Sequence, residues 1–400
     1  MKPMKNKKIM FFTRSLEKGG GERILSELSL NLSDNIQSTI VLLGDKTSYL
    51  YKGKLITFNL PFSKKFFPKL FIFFRGFLKF KKIINREKPN YILSFGNEPN
   101  VMNVLTKRGS LVRVENFISQ SNTGFFGKFY NFLIKLLFNR AERIIVVSRG
   151  IESELVKNFG IKKEKIQLIY NPIDVEKIQN MSQETLESKY QKIFKQPVLI
   201  NVGMLNEQKG QWHLIRSFKK AKESTKNLKL VILGEGELKP CLQQLIEELN
   251  LKEDVHLLGW QENPFKFLSK STLFVLSSLW EGLPTVILEA MACGVPILST
   301  DCRSGPREIL APDTDIDCWT NNIENGEYGI LTRPFEIEKK FPQAGEPLTE
   351  NEKILSEAII KILADERLQK NLRKKSKERA EDFDAKNIIK EWDFLWEEEK

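Results

Sequence analysis

The sequence predicts an α/β protein built on two parallel sheets. Short apolar runs of strand length recur, among them residues 8–13 (KIMFFT), 91–95 (YILSF), 143–148 (RIIVVS), 198–203 (VLINVG) and 228–233 (LKLVIL). Helically spaced segments alternate with them, which implies parallel sheets covered on both faces. Tyr170-Asn-Pro-Ile-Asp174 breaks the alternation, and a second β/α series begins after Pro197. Four hundred residues leave room for two or three domains, and 41% apolar with 28% charged residues describes a globular chain.

The first strand, 8–13, runs into Glu17-Lys-Gly-Gly-Gly-Glu-Arg23 and then a helical pattern at Ile24, Leu25, Leu28 and Leu32. Strand, glycine loop and helix bring backbone close to a phosphate. A plain flexible loop is the alternative, since neither a GxGxxG fingerprint nor a Walker lysine is present. Residues 38–43, 54–60, 91–95, 111–114 and 143–148 continue the strands. Two segments interrupt them. Residues 61–84, beginning at Pro61 and ending at Ile84, interleave phenylalanines with lysines and arginines, and 123–140 repeats the style with Phe125, Phe126, Phe129, Tyr130, Phe132 and Phe138. For 61–84 two readings stand side by side, contact with an anionic membrane surface and ordinary helices with core phenylalanines and solvated lysines. For 123–140 the reading is ordinary helices with core phenylalanines and solvated lysines. The phenylalanines are too dense and too helically spaced for a nucleic-acid stacking platform.

Charge is uneven. Residues 1–170 hold 31 Lys and Arg against 12 Asp and Glu, a net of +19, whereas the remainder has 32 against 39, a net of −7. The basic half implies an anionic partner. Cys241, Cys293, Cys302 and Cys318 form no C-x-x-C pair and read as reduced thiols. His213 and His256 are far apart, which argues against a histidine zinc site. The apolar run behind the early lysines stops at Thr13, too short for a signal peptide, and no uncharged apolar stretch is long enough to span a bilayer.

In the second half, a polar helix over 175–195 precedes the strand 198–203, whose loop carries Lys209 ahead of a helix over 212–222. Strands at 228–233 and 254–258 follow, with the loops Gly234-Glu-Gly-Glu237 and Gly259-Trp-Gln261. The stretch 277–301, SSLWEGLPTVILEAMACGVPILSTD, reads as strand end, loop, helix, turn and strand. Pro284 suits the first helical position and Gly294 the position just past the helix end. This puts Glu281 in the loop and Glu289 inside the helix. Eight helical residues would separate them by ~12 Å and ~800° of rotation, so the two acids bracket an extended ligand. Between them lie the helix-start amides, a natural anion site. One acid for sugar hydroxyls, amides for phosphate and a second acid for a ribose diol suit a nucleotide-sugar. A long helical region over 354–380 and a final helix over 388–398 close the chain.

At this point the sequence resembles the family-4 retaining glycosyltransferases of the GT-B fold. Their E-x7-E signature stands as Glu281-Gly-Leu-Pro-Thr-Val-Ile-Leu-Glu289, and Ala290-Met-Ala-Cys-Gly-Val-Pro296 fits the flank. The resemblance implies two Rossmann-like β/α/β domains facing across a cleft, with the last helix crossing back to the first. The acceptor domain would be 1–171 with about 382–400, and the nucleotide-sugar domain 172–381. Catalytic roles pass to Glu281 and Lys209. The relatives' first-domain histidine has no counterpart, and Glu115 or Asn116 in Arg113-Val-Glu-Asn-Phe117 substitutes. Donor binding passes to Glu289, Gly282, Leu283, Pro284, Thr285, Val286, Gly203, Met204, Gly234, Trp260 and Arg307. Met204 stands where the relatives carry arginine, with Arg303 or Arg307 in compensation, and Trp260 also fits a core position. Gly19, Gly20, Gly21 and Glu22 match the glycine loop at the cleft. Asp301-Cys-Arg-Ser-Gly-Pro-Arg-Glu-Ile-Leu310 and 327–331 (EYGIL) resemble members that move a hexose or N-acetylhexosamine to lipid-linked or surface glycans.

The implied enzyme takes a nucleotide-sugar, UDP-linked by family precedent, and needs no cofactor or metal. Asp313, Asp315 and Asp317 alternate in a polar loop away from a strand end. It would be cytoplasmic, peripheral on the inner face of the plasma membrane. The rival readings are a catalytically inactive sugar-nucleotide-binding relative, a glycoside hydrolase using the two acids, and a basic nucleic-acid-binding protein.

Overall fold

The computed structural model describes residues 7–17, 19–33, 35–61, 66–121, 124–337, 341 and 344–397. The chain divides into two compact units, Met1–Pro172 with Asn387–Lys400, and Ile173–Lys386. In the first, strands β1 (Lys7–Thr13), β2 (Ile36–Leu42), β3 (Lys54–Thr57), β4 (Tyr91–Phe95), β5 (Ser110–Val114), β6 (Arg143–Val146) and β7 (Ile166–Leu168) form a sheet of order β3-β2-β1-β4-β5-β6-β7, all parallel. Alternate side chains of β1 enter different cores, as a two-residue period requires. Ile9 and Phe11 pack with Leu25, Leu93 and Leu111, whereas Met10 and Phe12 pack with Val41, Phe80 and Met102. Phe12 stacks on Phe80 at 3.8 Å between ring centroids.

The second unit repeats the plan. Strands β8 (Val198–Val202), β9 (Lys229–Leu233), β10 (Val255–Gly259), β11 (Leu273–Leu276), β12 (Ile297–Thr300), β13 (Ile323–Asn325) and β14 (Ile330–Thr332) take the order β10-β9-β8-β11-β12-β14-β13. Only the β13–β14 pair is antiparallel. In each sheet the order reverses beside its founding strand, between β1 and β4 and between β8 and β11. Ligands of such sheets bind outside the strands' C-terminal ends at these points.

The final helix, Ala385–Glu397, returns the chain to the first unit. Ile388 and Trp392 are buried in the core that holds Ile9, Phe11 and Leu93. The buried Arg113 guanidinium lies 5.2 Å from the Trp392 ring centre and 5.6 Å from that of Phe95. The side chains of this helix beyond Trp392 lie outside the described residues.

Several local expectations are corrected. The region 175–195 is three short pieces, Val175–Ser182, Ser188–Gln191 and Ile193–Lys195, because the Ser182 hydroxyl bonds back to the Gln179 carbonyl and the chain turns. Residues 354–380 belong to two helices, Glu350–Ala364 and Glu366–Glu381, parted at Asp365, whose side chain caps the second by accepting from the Leu368 amide. Strands β7, β13 and β14 are three residues long, too short for a periodic signal. Pro284 is the N-cap of helix Thr285–Ala292, one step before the first helical position, while Gly294 does take the left-handed conformation after it, with φ +70°.

A buried polar cluster joins helix Gln211–Ser224 to helix Glu350–Ala364. Glu352 accepts from Arg216 Nε at 2.9 Å, meets His213 Nδ1 at 2.8 Å and caps its own helix start through the Thr349 amide. Burial acts to raise its carboxyl, but the bonds from His213, Arg216 and Thr349 outweigh it and hold the group below its ordinary 4.5. Its stabilisation is therefore complete above about pH 4.5 and lost as pH falls through the depressed folded value. Glu352→Ala strands Arg216 without its countercharge, and we expect it to cost about 3–5 kcal/mol at pH 7. Denaturant titrations should show that deficit shrinking below pH 4.5; a constant deficit would exclude the charge as its origin.

Candidate functional site

In the second unit the loops after β8 and β11 meet at the switch point. Lys209 Nζ lies 2.6 Å from Glu281 Oε1, which also accepts from Ser278 Oγ at 2.7 Å. Gln208 Nε2 donates to Glu281 Oε2 at 3.2 Å and to the Trp280 carbonyl at 3.0 Å. The backbone is tied as well, since the Leu279 amide bonds the Gln208 carbonyl and the Ser277 hydroxyl bonds the Lys209 carbonyl. On the other side the Glu281 amide donates to the Arg303 carbonyl at 2.6 Å, and the Ser304 hydroxyl donates to Gly282 O at 2.8 Å. Glu281 is thus a buried anion, 5% exposed, held from three sides. The acid expected to hold sugar hydroxyls is thus also bonded to Lys209, Ser278 and Gln208. Its first partner is Lys209, and it fixes where that ammonium sits.

Gly282, Leu283 and Pro284 carry the loop to helix Thr285–Ala292. Its opening residues Thr285 and Val286 are half-buried, so the first-turn amides lie at the margin of the core. Gly305, at φ +100°, packs against this turn, where an added Cβ would meet Pro284 Cδ at 2.5 Å and Gly282 O at 2.9 Å. Glu289, 6% exposed, sits further along the helix. Gly203 and Gly234 lie together, since a Cβ on Gly234 would strike the Gly203 carbonyl oxygen. Met204 and Trp260, at the ends of β8 and β10, are 60% and 55% exposed, so Trp260 is not a core residue.

Arg307 and Arg303 are differently employed from the expectation. The Arg307 guanidinium is bonded to Asp301, Glu324 and Thr314. Two carboxylates already balance its charge, so it is no phosphate clamp in place of an arginine at position 204. Arg303 donates to the carbonyls of Ile316 and Asp317 and stacks on Trp319, holding the loop after helix Pro306–Leu310. Ser278 and Gln208 were missed by the sequence reading, although each lies within three residues of a named acid or base.

In the first unit a pocket of about 350 Å³ opens at the C-terminal ends of β1 and β4. Thr13, Arg14, Glu22, Asn97, Glu98, Glu115 and Tyr130 line it, so Glu22 and Glu115 are brought together there. Gly21 permits this, because a Cβ on it would strike a Glu115 carboxylate oxygen, while Gly19 is the N-cap and Gly20 the first residue of helix Gly20–Asn31. Burial pushes the Glu22 and Glu115 carboxyls up; Glu115 adds to the shift at Glu22, and Arg113, 3.1 Å from Glu115 Oε1, pulls Glu115 back. Arg113 also donates to Asn171 Oδ1. Asn116 lines an adjoining hollow of about 250 Å³ with Asn97 and Asn100.

The two aromatic-basic segments fold as helices. On Phe66–Glu87, Phe80 and Ile84 are buried, but Leu70, Phe71, Phe74 and Leu78 are exposed. Residues 62–65 of the proposed membrane segment lie outside the described residues. On Gly124–Leu137 the core is filled by Gly127, Tyr130, Ile134 and Leu137. The expectation of core aromatics holds for Tyr130 and Phe138 but fails for Phe125, Phe129 and Phe132, which are exposed. Among the described residues no helix is long and apolar enough to cross a membrane.

Known proteins share both sequence and architecture with this chain. The family model described as Glycosyltransferase Family 4 matches residues 18–177, and that described as Glycosyl transferases group 1 matches 182–320. An uncharacterized glycosyltransferase of Methanocaldococcus jannaschii is 41% identical, over 86% of this chain and 88% of that one. The N-acetylgalactosamine-N,N'-diacetylbacillosaminyl-diphospho-undecaprenol 4-alpha-N-acetylgalactosaminyltransferase of Campylobacter jejuni is 32% identical, over 96% of this chain and 98% of that one. The solved structure of Anabaena HepE in complex with UDP and glucose superposes with a TM-score of 0.74 at 18% identity, covering 98% of this chain and 99% of that one. With two Rossmann-like units, paired switch-point sites and these relatives, the chain belongs to the family-4 glycosyltransferases of the GT-B fold.

Proposed function

We propose that this glycosyltransferase moves a hexose or N-acetylhexosamine from a UDP-sugar to a lipid-linked or surface-polysaccharide acceptor, with retention of anomeric configuration and without a metal ion. The observation that carries the reading is the Lys209–Glu281 ion pair at the β8/β11 switch point, beside the start of helix Thr285–Ala292. An ammonium has three N–H donors, of which Glu281 engages one. The others are available to a diphosphate, together with the first-turn amides of the helix. These supply positive charge where the departing diphosphate develops negative charge, which is the contribution a divalent ion makes elsewhere. Glu289 takes the ribose diol, and the strand-end loops at Gly203, Met204, Gly234 and Trp260 take the base.

In the transfer, the bond from the sugar's anomeric carbon to the diphosphate oxygen breaks and its electron pair stays on the diphosphate. The acceptor hydroxyl oxygen bonds to that carbon on the same face, and its proton passes to the leaving phosphate oxygen. Glu22, Glu115 and Asn116 hold the acceptor by its hydroxyl and amide groups. The donor identity finds support in the UDP and glucose bound by HepE, and the acceptor class in the lipid-linked substrate named for the Campylobacter relative. The protein works at a membrane surface, which the segment 61–84 contacts, on the cytoplasmic side.

Glu281→Gln and Lys209→Met should each lower kcat for sugar transfer by about 10²–10³-fold with the fold intact. Undiminished transfer by a folded Glu281→Gln protein would refute the role of the pair, and addition of a chelator should leave wild-type turnover unchanged. Glu115→Gln should raise the acceptor KM about tenfold or more, the scale of losing a charge-assisted hydrogen bond. UDP affinity by calorimetry should stay constant in that variant; a parallel loss would move Glu115 out of the acceptor site.

A further inference from the structure

A cavity of about 570 Å³ lies in the second unit at the N-terminal ends of β8 and β11, where Pro197 and Thr272 lead into the two strands. Helices Glu350–Ala364 and Glu366–Glu381 line it through Leu363, Lys370 and Arg373. The Lys209–Glu281 pair stands beyond the opposite, C-terminal ends of the same strands. The five residues of β8 span about 16 Å, so the cavity is no part of the switch-point site.

Its charge runs against that of its surroundings. Residues 171–400 are acidic overall, yet Lys195, Lys270, Lys370 and Arg373 line the cavity against one acid, Glu366. Elsewhere in this unit lysines find carboxylates: Lys222 and Lys229 meet Asp254, Lys266 meets Glu187 and Lys375 meets Glu327. Among the described residues, no ion pair joins any of the four cavity cations to a carboxylate. Arg373 is half-buried and donates to the carbonyls of Gly294 and Ser271, each at 3.2 Å, which hold the guanidinium in place. Two of its five N–H donors are thereby engaged. Burial pulls its pKa below the ordinary value, and no carboxylate offsets that cost.

A cleft lined by one sign of charge concentrates ions of the other. Guanidinium and ammonium groups together suit phosphate oxygens, the first as a fork of donors and the second as a point charge. A phosphate group carries about −1.5 to −2 at neutral pH, so four cations less one acid call for two such groups. Phe194, Pro197 and Leu363 add an apolar wall, and the volume is that of a small-molecule site. We propose that this cavity binds a small molecule carrying two phosphate groups, at a site separate from that of the nucleotide-sugar. The proposal goes beyond the transfer reading and does not depend on it.

The test is calorimetry of inorganic pyrophosphate on the full chain, with and without saturating UDP. Wild-type protein should bind pyrophosphate in both conditions, and at least tenfold more tightly than inorganic phosphate. Lys270→Gln with Lys370→Gln should weaken the UDP-insensitive binding at least tenfold, whereas Glu366→Gln should tighten it severalfold. Lys81→Gln with Lys82→Gln, on the basic first unit, should leave it unchanged. Melting temperatures identify a double variant that has not folded, in which case Lys370→Gln alone is read and should lose threefold or more. Wild-type-like binding by the folded Lys270→Gln, Lys370→Gln protein would overturn the proposal. So would an equal loss in the Lys81→Gln, Lys82→Gln control, complete displacement of pyrophosphate by UDP, or equal affinity for phosphate and pyrophosphate. A chain that binds pyrophosphate at this cavity but neither UDP nor a UDP-sugar would keep the site and lose the donor reading.

Discussion

A buried carboxylate paired with a lysine organises the second unit. Glu281 and Lys209 arise 72 residues apart and meet only because β8 and β11 are neighbours in the sheet. Taking both groups out of water is costly, and such a pair contributes little net stability against apolar replacements. What it supplies is position. Each oxygen of Glu281 is engaged, by Lys209 and Ser278 on one side and Gln208 on the other, so the position of the ammonium is fixed beside an acid four residues ahead of the helix that begins at Thr285. The loops that carry the pair are tied in turn to the strand-end loop of β12 through Arg303 and Ser304. A site of this kind is preorganised and needs little rearrangement when charge develops.

The first unit has the opposite character. Its sequence is strongly basic, yet its switch-point pocket is lined by Glu22, Glu98 and Glu115. Arg75, Lys81, Lys82, Lys128 and Lys135 are exposed along the helices, while the three carboxyls line the pocket. Arg113 links this pocket to the chain's end, since one guanidinium touches Glu115, Asn171, Phe95 and Trp392. The final helix therefore helps to support the residue that orients Glu115.

Most strands were legible because parallel strands buried on both faces read as continuous apolar runs, as in Phe274-Val-Leu276 or Ile144-Ile-Val146. Glu281 was legible because an apolar strand run precedes its loop and Gly282, Leu283 and Pro284 follow it. The three-residue strands were not, and neither was the break at Asp365, where a single cap outweighs an otherwise helical composition. Composition also misassigned the phenylalanines of 124–137. Aromatic content does not distinguish a core face from an exposed one, and Tyr130, Ile134 and Leu137 had already filled the core.

By itself, the sequence determined the α/β alternation, the break between two series, the charge asymmetry and the Glu281–Glu289 spacing, because these depend on local pattern and composition. Tertiary structure alone decided that Glu281 is committed to Lys209, that Arg307 is neutralised by Asp301 and Glu324, and that Glu22 and Glu115 share one pocket. Those outcomes follow from strand order, which brings residues distant in the chain within bonding distance and determines which charges are already balanced.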